Sequence, residues 1–265
     1  MGNRMSDTVL LGIDSRGVAT LTLNRVEKHN AFDDQVVAEL TAKLKQVEAD
    51  STVRVVVLTG AGKTFSAGGD LNWMRAMANF SREQNVDDAM KLADLMETLD
   101  TLKKPTIARV NGPAYGGGVG LVACCDVAIA SEAAKFALTE VRLGLIPAVI
   151  SPYVIAAIGP REARRYFLTA EPIEAKTAYD MGLVHEVVTP DILDETIGII
   201  VTALLKGGPK AILAAKAFIA EQAGDRRALK KKTAQLIAEL RASPEGQEGL
   251  SAFLEKRNPD WSKHS

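Results

Sequence analysis

Two short glycine-rich stretches and one carboxylate carry most of the chemical interest of this sequence. Gly116-Gly117-Gly118-x-Gly120 follows one apolar run and opens another. A run of glycines at a helix start leaves backbone N–H groups unpaired, with no side chain to block an approaching anion. The same run also allows a strand and a helix to pack closely. Phe65-Ser66-Ala67-Gly68-Gly69-Asp70-Leu71 is a second turn of small residues, again placed after a buried strand. Two such turns can bring N–H donors to one point at the strand ends, which builds an oxyanion hole without a charged side chain. Glu140 is embedded in the apolar stretch Phe136 to Pro147. Burial there disfavours its charged form and suits a proton carrier working near neutral pH. A salt bridge to Arg142 or another partner is the other reading.

Several other chemistries fail on spacing. Gly60-Ala61-Gly62-Lys63-Thr64 resembles the end of a phosphate loop, but Val57 stands where its first glycine belongs. The glycines at 116–120 miss the dinucleotide fingerprint because Leu121 occupies the third glycine position. There is no Gly-x-Ser-x-Gly elbow. The histidines are His29, His185 and His264, and His185 falls in the strand-like segment Gly182 to Val188, as a structural residue. Cys124 and Cys125 are adjacent in an apolar run, which gives neither a disulfide framework nor a metal-ligand spacing. No metal is expected.

The elements that must position these residues alternate. Val9–Ile13 and Val18–Asn24 read as strands around the turn Ser15-Arg16-Gly17. Val36, Val37, Leu40, Leu44 and Val47 predict an amphipathic helix capped by Asp33. The β-branched run Arg54–Thr59 predicts a strand buried on both faces. Ser81-x-x-Gln84 is a capping box opening a long helix that Pro105 stops. Thr106–Val110 and Val127–Ala130 are further strands, and Ser151-Pro152 and Pro160 each start a helix. The second half is mostly helical. These elements predict an α/β catalytic core over residues 1–190 and a helical C-terminal subdomain over 191–265.

The chain has 265 residues, 47% hydrophobic and 25% charged, with 32 Lys and Arg against 33 Asp and Glu. A net charge of −1 supplies no field that would draw the whole molecule to nucleic acid or an anionic membrane. No run reaches the roughly 20 apolar residues of a membrane span, and Asp126 interrupts Leu121–Ala130. Gly2 followed by Ser6 formally fits a myristoylation pattern, but no second anchoring signal follows, and a start at Met5 is simpler. The expected location is the cytoplasm.

Together these motifs resemble the enoyl-CoA hydratase/isomerase family, the crotonase superfamily. The resemblance runs over nearly the whole chain: Leu23-Asn24-Arg25 with Asn30-Ala31, then Phe65–Leu71, Gly116–Gly118, Cys125-Asp126, and Glu140 before Leu143–Pro147. Within the family, Val119–Asp126 and Ile146–Tyr153 are most similar to bacterial methylglutaconyl-CoA hydratases of leucine degradation.

The resemblance implies a crotonase-like spiral of ββα units and an acyl-CoA substrate, with no cofactor beyond that CoA thioester. It maps the oxyanion donors onto the N–H groups of Gly69 and Gly117, and the proton-moving carboxylate onto Glu140. Backbone around Ala67, Gly69 and Leu71 would meet the adenine edge. Arg25 and Lys28 would meet CoA phosphates or remain solvated. A homotrimer or hexamer is implied, in which the last helices contribute Phe253, Lys256 and Arg257. Hydratases of the family carry a second glutamate where this chain has Gly120. That departure keeps a double-bond isomerase running on Glu140 alone as the alternative. For a hydratase, Asp94, Glu97 or Tyr153 would be candidates to hold water. A reading of another class, RNA binding, rests on Arg226, Arg227, Lys230, Lys231 and Lys232, but no stacking aromatics are interleaved.

Overall fold

The computed structural model describes residues 7–77, 79–222 and 227–260. Gly2, Arg226 and His264 lie outside them, as does the side chain of Arg227. The chain runs β1 (Val9–Ile13), β2 (Val18–Leu23), α1 (Asp34–Ala49), β3 (Val55–Gly60), α2 (Leu71–Met77), α3 (Arg82–Asp100), β4 (Thr106–Val110), β5 (Ala114–Tyr115) and α4 (Gly117–Cys124). It continues with β6 (Val127–Ser131), β7 (Lys135–Ala137), α5 (Ser151–Thr169), β8 (Ile173–Glu174), α6 (Ala175–Asp180) and β9 (Glu186–Val188). Four helices follow: α7 (Leu193–Lys206), α8 (Pro209–Gln222), α9 (Arg227–Ala242) and α10 (Pro244–Leu254).

One sheet has the order β1-β2-β3-β4-β6-β9, antiparallel at β1 and parallel thereafter. Every residue of β3 is buried, as its unbroken apolar run requires. Side chains alternate across the pleat. Val56 and Leu58 face the main core with α1 and α3, while Val55 and Val57 face Leu193, Ile197 and Val201 of α7. The predicted caps form: Asp33 accepts the Val36 N–H at 2.9 Å, and Ser81 and Gln84 close a capping box. The predicted break in α5 falls at Gly159, whose φ of 72° leaves the helical region before Pro160. His185 is structural, since its Nδ1 accepts the Ala128 N–H at 3.0 Å. It lies just before the strand and not in it, since β9 is confined to Glu186–Val188.

A second sheet, β5-β7-β8, is built from strands of two or three residues. It fixes where β5 ends and α4 begins. Helices α9 and α10 fold back over the sheet's helical layer, and Ala234 and Ile237 of α9 join the same core as β2 and β3. Among the described residues no single helix is long and apolar enough to cross a membrane. Cys124 and Cys125 are buried and not joined in a disulfide, and burial pushes the Cys125 thiol up to about 12.

Candidate active site

The two glycine turns meet side by side. Ser66 pairs with Ala114 in a parallel bridge, and the Tyr115 N–H donates to Ser66 O at 2.9 Å. Three residues further along each strand stand Gly69 and Gly117. Their N–H groups donate to no acceptor among the described residues. The first turn is held from below by residues 29–32. Ala67 N–H donates to His29 O at 2.9 Å, Phe32 N–H to Gly68 O at 2.6 Å, and Asp70 N–H to Phe32 O at 2.6 Å. Ser66 Oγ donates to Asn30 O inside the protein. Asn30 Nδ2 in turn donates to the Ala61 and Thr64 carbonyls, which explains the motif Asn30-Ala31. At Gly117 the fully buried Phe32 ring lies so close that a Cβ would sit 2.7 Å from its Cε2. Only glycine can present its N–H there.

Glu140 opens a short 3-10 turn, Glu140–Leu143, closed by Gly144 in the left-handed region. One carboxylate oxygen, Oε1, would lie 3.3 Å from a Cβ on Gly116, so the acid reaches the residue next to the Gly117 donor. The other, Oε2, is buried and has no hydrogen-bond partner. Burial pushes the carboxyl up to about 7. The alternative pairing with Arg142 does not form; Arg142 Nη2 donates instead to Ala170 O at 2.8 Å. An acid of this kind can hold or release a proton at neutral pH.

Glu140, Gly69, Gly117, Ala67, Leu71, Lys28 and Phe253 line one cavity of about 830 Å³. Gly69, Leu71 and Lys28 are exposed at its wall, and Phe253, also exposed, lines it from α10. Arg25 is turned inward. It pairs with Asp33 at 2.9 Å and Asp70 at 3.2 Å and donates to Ala31 O, so its guanidinium secures the Gly69 turn. Asp70 Oδ1 accepts the N–H groups of Asn72 and Trp73 at the start of α2. Burial alone would raise the Asp70 carboxyl, but those N–H groups, with Arg25 and Lys28, hold it below its ordinary value. Lys256 is exposed and does not line the cavity, whereas Arg257 does, paired with Glu248 and Glu255.

None of the three candidate water-holding side chains lines the cavity. Asp94 and Glu97 face α9, where Lys230 pairs with both, and Tyr153 is buried in the core. That pairing also removes Lys230 from the exposed basic run, leaving Lys231 and Lys232 on the surface. Ile150 occupies the space beside Gly120, where a Cβ would lie 2.3 Å from its Cγ2. The sequence had pointed to the missing acid but not to the residue that fills its place.

The signature described as Enoyl-CoA hydratase/isomerase matches residues 14–264. The chain belongs to the enoyl-CoA hydratase/isomerase family. It is 35% identical to 2,3-dehydroadipyl-CoA hydratase of Escherichia coli (strain K12), over 92% of this chain and 94% of that protein. It is 33% identical to 1,2-epoxyphenylacetyl-CoA isomerase of the same strain, over 93% and 95% of the two chains. The crystal structure of an enoyl-CoA hydratase from Shewanella pealeana superposes with a TM-score of 0.80 at 43% identity, covering 97% of each chain. As an enoyl-CoA hydratase/isomerase family enzyme with the crotonase fold, the protein acts on an acyl-CoA thioester. The described cavity has the two parts this chemistry needs: free N–H donors and a buried acid.

Proposed function

We propose that this enzyme adds water across the α,β double bond of an enoyl-CoA, or removes it from the 3-hydroxyacyl-CoA, with 3-methylglutaconyl-CoA of leucine degradation as its substrate. The observation that carries the reading is the uncompensated Glu140 carboxyl beside Gly116 and the open Gly117 N–H. In this proposal the Gly69 and Gly117 amides hold the thioester oxygen as it gains charge. Each such donor contributes on the order of 3–4 kcal/mol to the transition state. Glu140 takes a proton from water, the water oxygen bonds to Cβ as the π bond breaks, and the proton passes to Cα. The carboxylate is regenerated, and the scheme needs no metal or redox group. The methylglutaconyl assignment is supported by the similarity of Val119–Asp126 and Ile146–Tyr153 noted above. Lys28 on the rim, backbone at Ala67, Gly69 and Leu71, and Phe253 from α10 would hold the CoA moiety. Assembly into a trimer or hexamer is supported by the exposed apolar residues Ile199, Phe218 and Ile219 on α7 and α8.

One observation favours the second reading, a double-bond isomerase. Ile150 excludes a second acid, and a single carboxylate suffices to move a proton between two carbons. Reaction in H₂¹⁸O separates the two. Incorporation of ¹⁸O into a 3-hydroxyacyl-CoA supports hydration. Conversion of 3-enoyl- to 2-enoyl-CoA with no oxygen gained by any enoyl-CoA tested replaces it with isomerisation.

A further inference from the structure

The cavity that holds Glu140 also contains a buried cation with unused donors. Arg241, near the end of α9, lines it together with Trp73, Met77, Leu92 and Ile237. Its side chain is 11% exposed and pairs with Asp88 of α3, itself 8% exposed, through Nη1 at 3.0 Å. Trp73 lies near the same carboxylate and favours its charged form, while burial raises the Asp88 carboxyl above its ordinary value. A guanidinium has five N–H donors, and Asp88 is the sole acceptor for this one among the described residues. No guanidinium nitrogen of Arg241 is among the buried side-chain atoms left without a partner, so the N–H groups that Asp88 does not use are open to the cavity and can take an acceptor there. The other cations of the lining are placed differently. Arg142 is tied to Ala170 O, Arg257 sits between Glu248 and Glu255, Arg75 bonds Asn72, and Lys28 is exposed at the rim.

The position also suits the reaction. Gln247 Nε2 donates to Arg241 O at 2.7 Å, and the first turn of α10 abuts Gly144, where a Cβ would lie 2.5 Å from Glu245 O. The joint between α9 and α10 therefore ties Arg241 to the turn that carries Glu140. Apolar residues of the same lining, among them Met77, Leu92 and Ile237, can take the methylenes of an acyl chain, and a guanidinium suits a planar anion at its end.

We infer that Arg241, held in place by Asp88, receives a carboxylate at the far end of the acyl group, so that the site selects CoA esters of dicarboxylic acids. The inference rests on the acyl-CoA reading above. An alternative role, an ion pair that only fastens α9 to α3, makes no distinction between charged and uncharged acyl ends.

Saturated esters test this apart from turnover. Titration calorimetry of the intact protein would compare glutaryl-CoA with valeryl-CoA, and adipoyl-CoA with hexanoyl-CoA. The expected result is a preference of about 10- to 100-fold for each charged ester, the range of a charge-assisted hydrogen bond. In Arg241→Met/Asp88→Leu, which leaves no lone charge buried, that preference falls to within about threefold. Equal affinities in the native protein overturn the inference without any variant, even where the enzyme hydrates enoyl-CoAs. A preference that survives the double substitution also overturns it, by assigning the anion to another cation. Preference for the charged esters without hydration of any enoyl-CoA overturns the hydratase reading alone. Failure of all four esters to bind overturns both.

Discussion

Ile150 and Gly120 are locked together: the isoleucine Cγ2 stands 2.3 Å from where a Cβ on the glycine would be, and Met96 Cε is 3.2 Å away. Position 120 is therefore closed to any side chain, and a single substitution cannot restore a second acid. Gly120→Ala should lower the unfolding free energy by about 1–3 kcal/mol through overpacking. Ile150→Ala, which removes Cγ2, should recover part of that loss in the double variant. Urea denaturation of the two single variants and the double closes the cycle. Strictly additive losses would show that the contact is not the constraint.

Glu140→Gln keeps the shape of the acid and removes its proton chemistry. Turnover of the best enoyl-CoA should fall by at least about 10²-fold, with CoA-ester binding nearly unchanged. Steady-state kinetics beside titration calorimetry separate the two effects. Turnover within about threefold of the parent would remove Glu140 from the mechanism.

The same carboxyl sets a pH dependence of stability. Its pKa is about 7 in the folded protein against an ordinary 4.5. Between those values the native state holds more protons than the unfolded chain, so stability falls as pH rises from about 4.5 to about 7 and stays low above that. Glu140→Gln lacks this slope. At pH 8 it should exceed the parent by up to roughly 3 kcal/mol, and at pH 5 the gap should be small. Urea melts at both pH values measure it, and parallel stabilities throughout would contradict a buried, uncompensated acid.

The two donor glycines should respond unequally to alanine. At Gly69 a Cβ meets Met74 Cγ and Sδ at 3.4 Å, an ordinary contact, and the N–H is kept. At Gly117 it drives into Phe32. Gly117→Ala should therefore lose about ten times more turnover than Gly69→Ala, because a displaced donor is costly even when present. Phe32→Leu should narrow that difference. Equal losses would mean that Phe32 does not set the position of the donor.

Arg25 and Lys28 are three residues apart in sequence and should separate in function. Arg25→Gln leaves Asp70 and Asp33 short of a partner and should cost roughly 1–3 kcal/mol of stability, with little direct change in CoA affinity. Lys28→Gln should leave stability within about 0.5 kcal/mol and weaken CoA esters several-fold, more so at low salt. Chemical denaturation and CoA-ester binding at two ionic strengths check both, and a reversed pattern would return the phosphate contact to Arg25.

Features encoded within a few residues were legible in the sequence. The unbroken run Val55–Leu58, the Asp33 cap and the Ser81/Gln84 box each depend on near neighbours, and each forms. The strands Ala114–Tyr115, Lys135–Ala137 and Ile173–Glu174 are too short to show a period, so the small sheet that sets the start of α4 left no signal. Helix α2 was hidden because its capping Asp70 reads as the end of the glycine turn. At the site, the glycines and Glu140 were readable because their residue types are rare in such surroundings. Arg241 was not, since its meaning comes from Asp88, 153 residues away. The role of Arg25 was also set by distant partners, Asp70 above all.

The packing of α10 on the turn that carries Glu140 has a consequence for the acid itself. Gly249 packs against Leu143 so tightly that a Cβ would lie 2.4 Å from its backbone, and Glu245 does the same to Gly144. The turn bearing the acid thus acquires one of its walls from a helix translated roughly a hundred residues later. Without α10 that wall is open to water, which relieves part of the burial that raises the Glu140 carboxyl. The acid's proton chemistry is thereby coupled to the docking of a helix far away in sequence.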